Sequence, residues 1–161
     1  MKLISDAFSD NGALPPHFTG DGEDMSPALE WSGAPRGTKS FVLLVDDLDA
    51  PGGVFHHWAC YDIPAYHSTL VEGAGRPEGF EDFRHGVNDF EELGYNGPAP
   101  PEGDGLHRYR FRLLALDCAE LAIRTHPTCE EVEAEASRHV LAEAELTGLY
   151  RRELAGSSPP G

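Results

Sequence analysis

The sequence predicts a mostly β single domain with helical structure at its periphery, and three observations predict it. Residues 40–46, SFVLLVD, are apolar almost without a break, as a strand buried on both faces requires. Residues 107–117, HRYRFRLLALD, alternate with period two: His107, Tyr109, Phe111, Leu113 and Ala115 share one face, and Arg108, Arg110 and Arg112 the other. That is a strand with an apolar face inward and a basic face outward. Thirteen prolines and eighteen glycines in 161 residues call for many turns and long irregular connections, not a helical bundle.

Residues 1–39 read as short pieces: KLIS, a Pro/Gly/Asp-rich stretch, and a short strand at 28–31. The run at 40–46 leads through an Ala-Pro-Gly-Gly turn to HWACYDI, a second strand at 57–63 and the other arm of a hairpin. Strict alternation places His57, Ala59, Tyr61 and Ile63 on one face, and His56, Trp58, Cys60 and Asp62 on the other. Residues 64–106 are poor in pattern, with short elements at 68–71 and 83–88. Phe80, Phe83, Phe90 and Tyr95 mark this stretch as an ordered, functional loop. Thr128 and Glu131 after Pro127 have the form of a capping box. Val132, Ala136, Val140 and Ala144 then recur at helical spacing with Gly148 as a stop, which predicts a C-terminal helix. Residues 1–155 form one domain, and 156–161 a disordered tail.

Composition bounds the function. Twelve Lys and Arg against twenty-eight Asp and Glu give a formal charge of -16, a field that repels nucleic acid and anionic bilayers. No run is long enough to cross a membrane, and MKLISDAFSDNG lacks the apolar core of a secretory signal. Cys60, Cys118 and Cys129 are odd in number, far apart and without zinc spacing, which suits small buried thiols in a reducing cytoplasm. No cofactor motif is present. Ser40 and Ser68 lie in no nucleophile-elbow context, so no catalytic residue and no enzymatic turnover are expected.

The chemistry concentrates in DDLDAPGGVFHHWACYD, residues 46–62. His57 and His107 each open a strand and can point inward, while Asp47 and Asp49 follow the end of another. If those ends lie together, Asp47, His57 and His107 line one pocket with Tyr109 behind, and His56 faces away. A carboxylate beside histidine raises its pKa and fixes its tautomer. Two such histidines with loop N–H groups make a nest for phosphate, sulfate or carboxylate. Asp47 orients them or meets an attached ammonium. A satisfied hydrogen-bond network with no ligand is the plain rival. A metal site of Asp47, Asp49, His56, His57 and His107 has the ligand types but no H-E-x-x-H, H-x-H or cysteine pair, and no metal is expected.

These residues resemble the phosphatidylethanolamine-binding protein family, in its bacterial, Raf-kinase-inhibitor-like branch. That family carries Asp-Pro-Asp-Ala-Pro after a buried strand, a histidine soon after, and a later Gly-x-His-Arg-Tyr strand. Here they read D47-L-D-A-P51, H56-H57-W58 and G105-L-H-R-Y109, with SPALEWSGAPRGTKSFVLLVDD and GYNGPAPPEGDGLHRYRF also similar. The likeness spans roughly residues 20 to 117, and Leu48 stands where the motif has proline. It implies a large antiparallel β-sheet packed against a smaller sheet, and a ligand pocket of Asp47, His57, His107 and Tyr109 with the backbone at Ala99. Asp49, Pro51 and His56 support it, with Pro51 a candidate for a cis bond. The implied function is binding of a phosphate-bearing or carboxylate small molecule, with phosphoethanolamine the head group of the family's name. The alternatives are a kinase or protease inhibitor that docks a partner through the pocket, and an Asp/His hydrolase. A homodimer is plausible for relatives of this kind.

Overall fold

The computed structural model describes residues 1–152. Among the described residues nine strands form two sheets: β1 (Lys2–Ile4), β2 (Gly12–Ala13), β3 (Leu29–Ser32), β4 (Ser40–Asp47), β5 (Phe55–Pro64), β6 (Thr69–Leu70), β7 (Arg84–His85), β8 (His107–Leu116) and β9 (Val140–Tyr150). A 3₁₀ turn covers Pro16–Phe18, and one α-helix, α1, covers Cys129–Ala136. The large sheet runs β2-β9-β8-β4-β5-β7 and the small one β1-β3-β6. Pairing is antiparallel throughout except between β2 and β9.

Burial explains the sequence pattern. Every residue of β4 is buried because its sheet is the middle layer. One face packs Phe41, Leu43, Val45 and Phe111 against Leu3, Leu29 and Trp31 of the small sheet, with the Trp31 and Phe41 rings 5.3 Å apart. The other packs Val42, Leu44, Leu114 and Leu116 under Val132 and Ala136 of α1. The arginine face of β8 is therefore only partly outward. Arg112 donates to Glu133 of the helix at 2.7 Å, and Arg110 lies 3.7 Å from the buried Asp46.

The capping box forms: Thr128 Oγ1 accepts from the Glu131 N–H, and Glu131 accepts from the Thr128 N–H. The helix, however, stops at Ala136 and does not reach Gly148. The segment from Val140 is a strand hydrogen-bonded to β8. A spacing of four fits a strand face as well as a helix face. Ala142, Ala144, Leu146 and Gly148 inward against Glu143 and Glu145 outward is period two. Gly148 is no helix stop: a Cβ there would meet the Phe8 ring at 3.1 Å and Leu14 at 3.3 Å.

The hairpin of β4 and β5 forms, but strict alternation along β5 does not hold. Val45 pairs with Trp58 and Asp46 with His56, so His57 is an extra residue at a bulge. A second irregularity falls between the Phe41–Ile63 and Leu43–Cys60 pairs, where Asp62 takes φ 55°. The result puts Trp58, Cys60 and Ile63 in the core between the sheets, and Ala59 and Tyr61 beneath the helix.

The stretch from 64 to 106 is pinned to the N-terminal segment. Gly75 N–H donates to Ser26 Oγ, the Tyr95 hydroxyl to Phe18 O, Gly97 N–H to Asp24, and Gly20 N–H to Pro98 O. Pro51 follows a trans bond, since the described residues contain no cis peptide. The predicted tail, 156–161, lies outside the described residues.

Candidate functional site

Register brings three strand ends to one place. Asp47, the last residue of β4, pairs with Phe55 near the start of β5 and with Tyr109 near the start of β8. With the Ala50–Pro51 turn on one side and the Ala99–Pro101 loop on the other, they enclose a cavity of about 160 Å³. Asp47, His57, His107, Tyr109, Ala99 and Pro51 all line it. Larger concavities lie elsewhere, one of about 370 Å³ beside Val71 and Phe80, but the converging buried Asp, His and Tyr groups are here.

His107 is held at both ring nitrogens. Nδ1 lies 2.7 Å from Asp47 Oδ2, and Nε2 2.5 Å from Asp104 Oδ2. Burial pulls its pKa down, but the two carboxylates outweigh burial and the net shift is upward. The other Asp47 oxygen accepts from the Asp49 N–H at 2.8 Å. Asp49 in turn takes a bidentate pair from Arg108, both contacts 2.9 Å, so it anchors the turn and does not enter the cavity.

His57 is of opposite character. The bulge turns its ring onto the Tyr109 face, with centroids 5.4 Å apart, between Phe55 and Phe90. Nδ1 lies 2.7 Å from the Asn96 carbonyl, which can only accept, so Nδ1 carries the hydrogen and Nε2 remains an acceptor. Burial lowers the His57 pKa, so the ring is neutral at neutral pH. The two histidines therefore do not form a doubly cationic nest.

Tyr109 adds a third function. Its hydroxyl is buried beside the Asp47 carboxylate but has no partner with full hydrogen-bond geometry among the described residues. Burial first, and the charge of Asp47 second, push its pKa well up, so it stays a protonated donor. Ala99 sits between Pro98 and Pro100, which makes it the only backbone N–H donor from 98 to 101. His56 lies on the helix side, its Nδ1 2.7 Å from Asp46 Oδ1, and that hydrogen bond raises its pKa.

The residues that sequence reasoning missed are Asp104, Asn96, Phe55 and Phe90. A signal existed for Asp104, three positions before His107 in a Gly-flanked loop. Asn96 acts through its carbonyl, which leaves no trace in residue type.

The model of the family described as phosphatidylethanolamine-binding protein matches residues 4–151. The chain belongs to the phosphatidylethanolamine-binding protein family. The UPF0098 protein of Methanothermobacter thermautotrophicus is 46% identical over 156 residues, which cover 94% of this chain and 99% of that protein. Among solved structures, Escherichia coli YbcL, titled a new member of the mammalian PEBP family, superposes with TM-score 0.89 at 33% identity, covering 94% of this chain and 98% of that one. Chlamydia trachomatis CT736, described as a phosphatidylethanolamine-binding protein homologue, gives TM-score 0.83 at 36% identity, covering 94% and 97%. The two-sheet, one-helix fold of this chain is that of its family neighbours. No helix in the described residues is long and apolar enough to cross a membrane.

Proposed function

We propose that this family member is a binding protein for a small phosphate-bearing or carboxylate ligand, taken at the cavity between β4, β5 and β8. The observation that carries the reading is the buried Tyr109 hydroxyl beside the carboxylate-flanked His107. A buried donor without a well-formed hydrogen bond is costly unless a ligand supplies a better-placed acceptor. The donors are His107 Nε2–H, Tyr109 O–H and Ala99 N–H; the acceptors are His57 Nε2 and the Asp47 carboxylate. That set suits a monoprotonated phosphate ester, whose anionic oxygens accept and whose P–OH donates. Phe55 and Phe90 offer apolar walls to an ethanolamine stem.

Asp104 occupies the anion's place on His107 in the free protein. A ligand anion displaces that carboxylate, and the loop from Pro98 to Leu106 moves with it. The walls hold no Ser, Thr, Cys or Lys, which favours capture over hydrolysis. About 160 Å³ suits a head group or one phosphorylated side chain, not a peptide segment, so a regulatory partner would dock through such a side chain. Three unpaired cysteines support a reducing, cytoplasmic setting.

Calorimetric titration of phosphoethanolamine into wild type and Tyr109→Phe tests the reading. Loss of one ligand hydrogen bond of about 1 kcal/mol weakens binding roughly fivefold. Fold stability holds or rises, since a buried hydroxyl without a well-formed hydrogen bond is removed. Equal affinity in both proteins, or no binding to either, would contradict it.

A further inference from the structure

At the opposite end of β8 from the cavity, three side chains of metal-ligating type converge. Asp117 and Cys118 follow the strand, and His139 sits in the turn between α1 and β9. Their ligand atoms, a carboxylate oxygen, a thiol sulfur and an imidazole nitrogen, all lie within 4.8 Å of one another. The backbone fixes the two segments together: Asp117 N–H donates to His139 O at 3.0 Å, and Leu116 pairs with Val140. The Ser40 hydroxyl holds the Cys118 carbonyl at 2.6 Å.

His139 Nδ1 faces Asp117 Oδ1 at 3.0 Å, while Nε2 lies 3.5 Å from Glu135 Oε1 of α1. A metal-bound histidine commonly keeps its second ring nitrogen on a carboxylate that sets tautomer and ring plane, and Glu135, at 3.5 Å without hydrogen-bond geometry, would close onto Nε2 once a metal took Nδ1. Tetrahedral zinc with bonds of about 2.0–2.3 Å needs ligand atoms about 3.3–3.8 Å apart, which small side-chain rotations reach from here.

We propose that Asp117, Cys118 and His139 form a zinc-class site with Glu135 orienting His139. Mixed S, N and O donors select a borderline divalent ion such as Zn²⁺ over Mg²⁺ or Ca²⁺. A protein of formal charge -16 also concentrates cations at its surface. Three protein ligands leave a fourth position for water, and the ion would tie the β8 end to the α1–β9 turn. This site is separate from the anion cavity, and neither reading depends on the other.

Cobalt(II) is the spectroscopic probe and zinc competition with a chromophoric chelator gives the affinity. Wild-type protein is expected to bind one equivalent, with a near-ultraviolet thiolate-to-cobalt band and the visible bands of a four-coordinate ion. Cys118→Ser is expected to abolish the thiolate band. His139→Ala should weaken zinc binding a hundredfold or more, and Glu135→Gln about tenfold, as expected for an outer carboxylate. His107→Ala should change neither readout. Circular dichroism of each variant keeps loss of fold apart from loss of ligand. No band in wild type, or a band that survives Cys118→Ser, would overturn the assignment.

Discussion

At the scale of single residues, the cavity works by giving two histidines different jobs. His57 gives its Nδ1–H to the Asn96 carbonyl and is kept neutral by burial. His107 is clamped by Asp47 and Asp104 and pushed toward the cationic form. Their pH signatures have opposite sign. The raised pKa of His107 contributes stability that is full below its unfolded value of about 6.5 and is lost as pH rises through the folded value. The lowered pKa of His57 costs stability as pH falls below about 6.5. Anion affinity should therefore fall as pH rises through the raised pKa of His107, which titration calorimetry across that range would show; a flat profile would remove His107 from the mechanism. Asp104→Ala takes away both a carboxylate partner and an internal competitor. It is expected to lower the His107 pKa, read by NMR, and to tighten phosphate binding about tenfold, or ~1.4 kcal/mol. The pairing of Asp47 with His107 was legible from strand ends alone. The neutrality of His57 was not, because it depends on a backbone carbonyl 39 positions away.

At the scale of elements, the bulge at His57 does the positioning. One extra residue in β5 between the Val45–Trp58 and Asp46–His56 pairs turns His57 to the cavity and leaves His56 on Asp46. Alternation counted along the sequence separated the two histidines correctly but misassigned their neighbours, since a bulge changes the count without changing the residues. The strands at 40–47 and 107–116 were legible because an unbroken apolar run and a period-two alternation are distinct patterns. The segment from Val140 was not, because Val140 and Ala144 fit either periodicity and only Glu143 and Glu145, on the opposite face, separate strand from helix. The α1 cap is independent of the cavity. Thr128→Ala is expected to cost about 1 kcal/mol in urea unfolding while leaving phosphoethanolamine affinity unchanged; a loss of affinity would tie the helix to the site.

At the scale of the whole molecule, a middle sheet covered on both faces holds three strand ends in fixed register, and the site sits where they meet. The small sheet and α1 cover that sheet without closing the cavity. With a formal charge of -16, nothing long-range draws an anion in. Under the proposed function, recognition would come from local geometry, from the proline-flanked Ala99 and the buried Tyr109 hydroxyl. The most direct test follows the histidine ring signals by NMR while inorganic phosphate, then phosphoethanolamine, is titrated in. The His57 and His107 signals should move together and saturate, His57 keeping its neutral Nδ1–H form, while His17, His67, His126 and His139 stay still. If no ring responds, or only exposed ones drift without saturating, the Asp47–His107–Asp104 group is a structural network and the cavity is not the binding site.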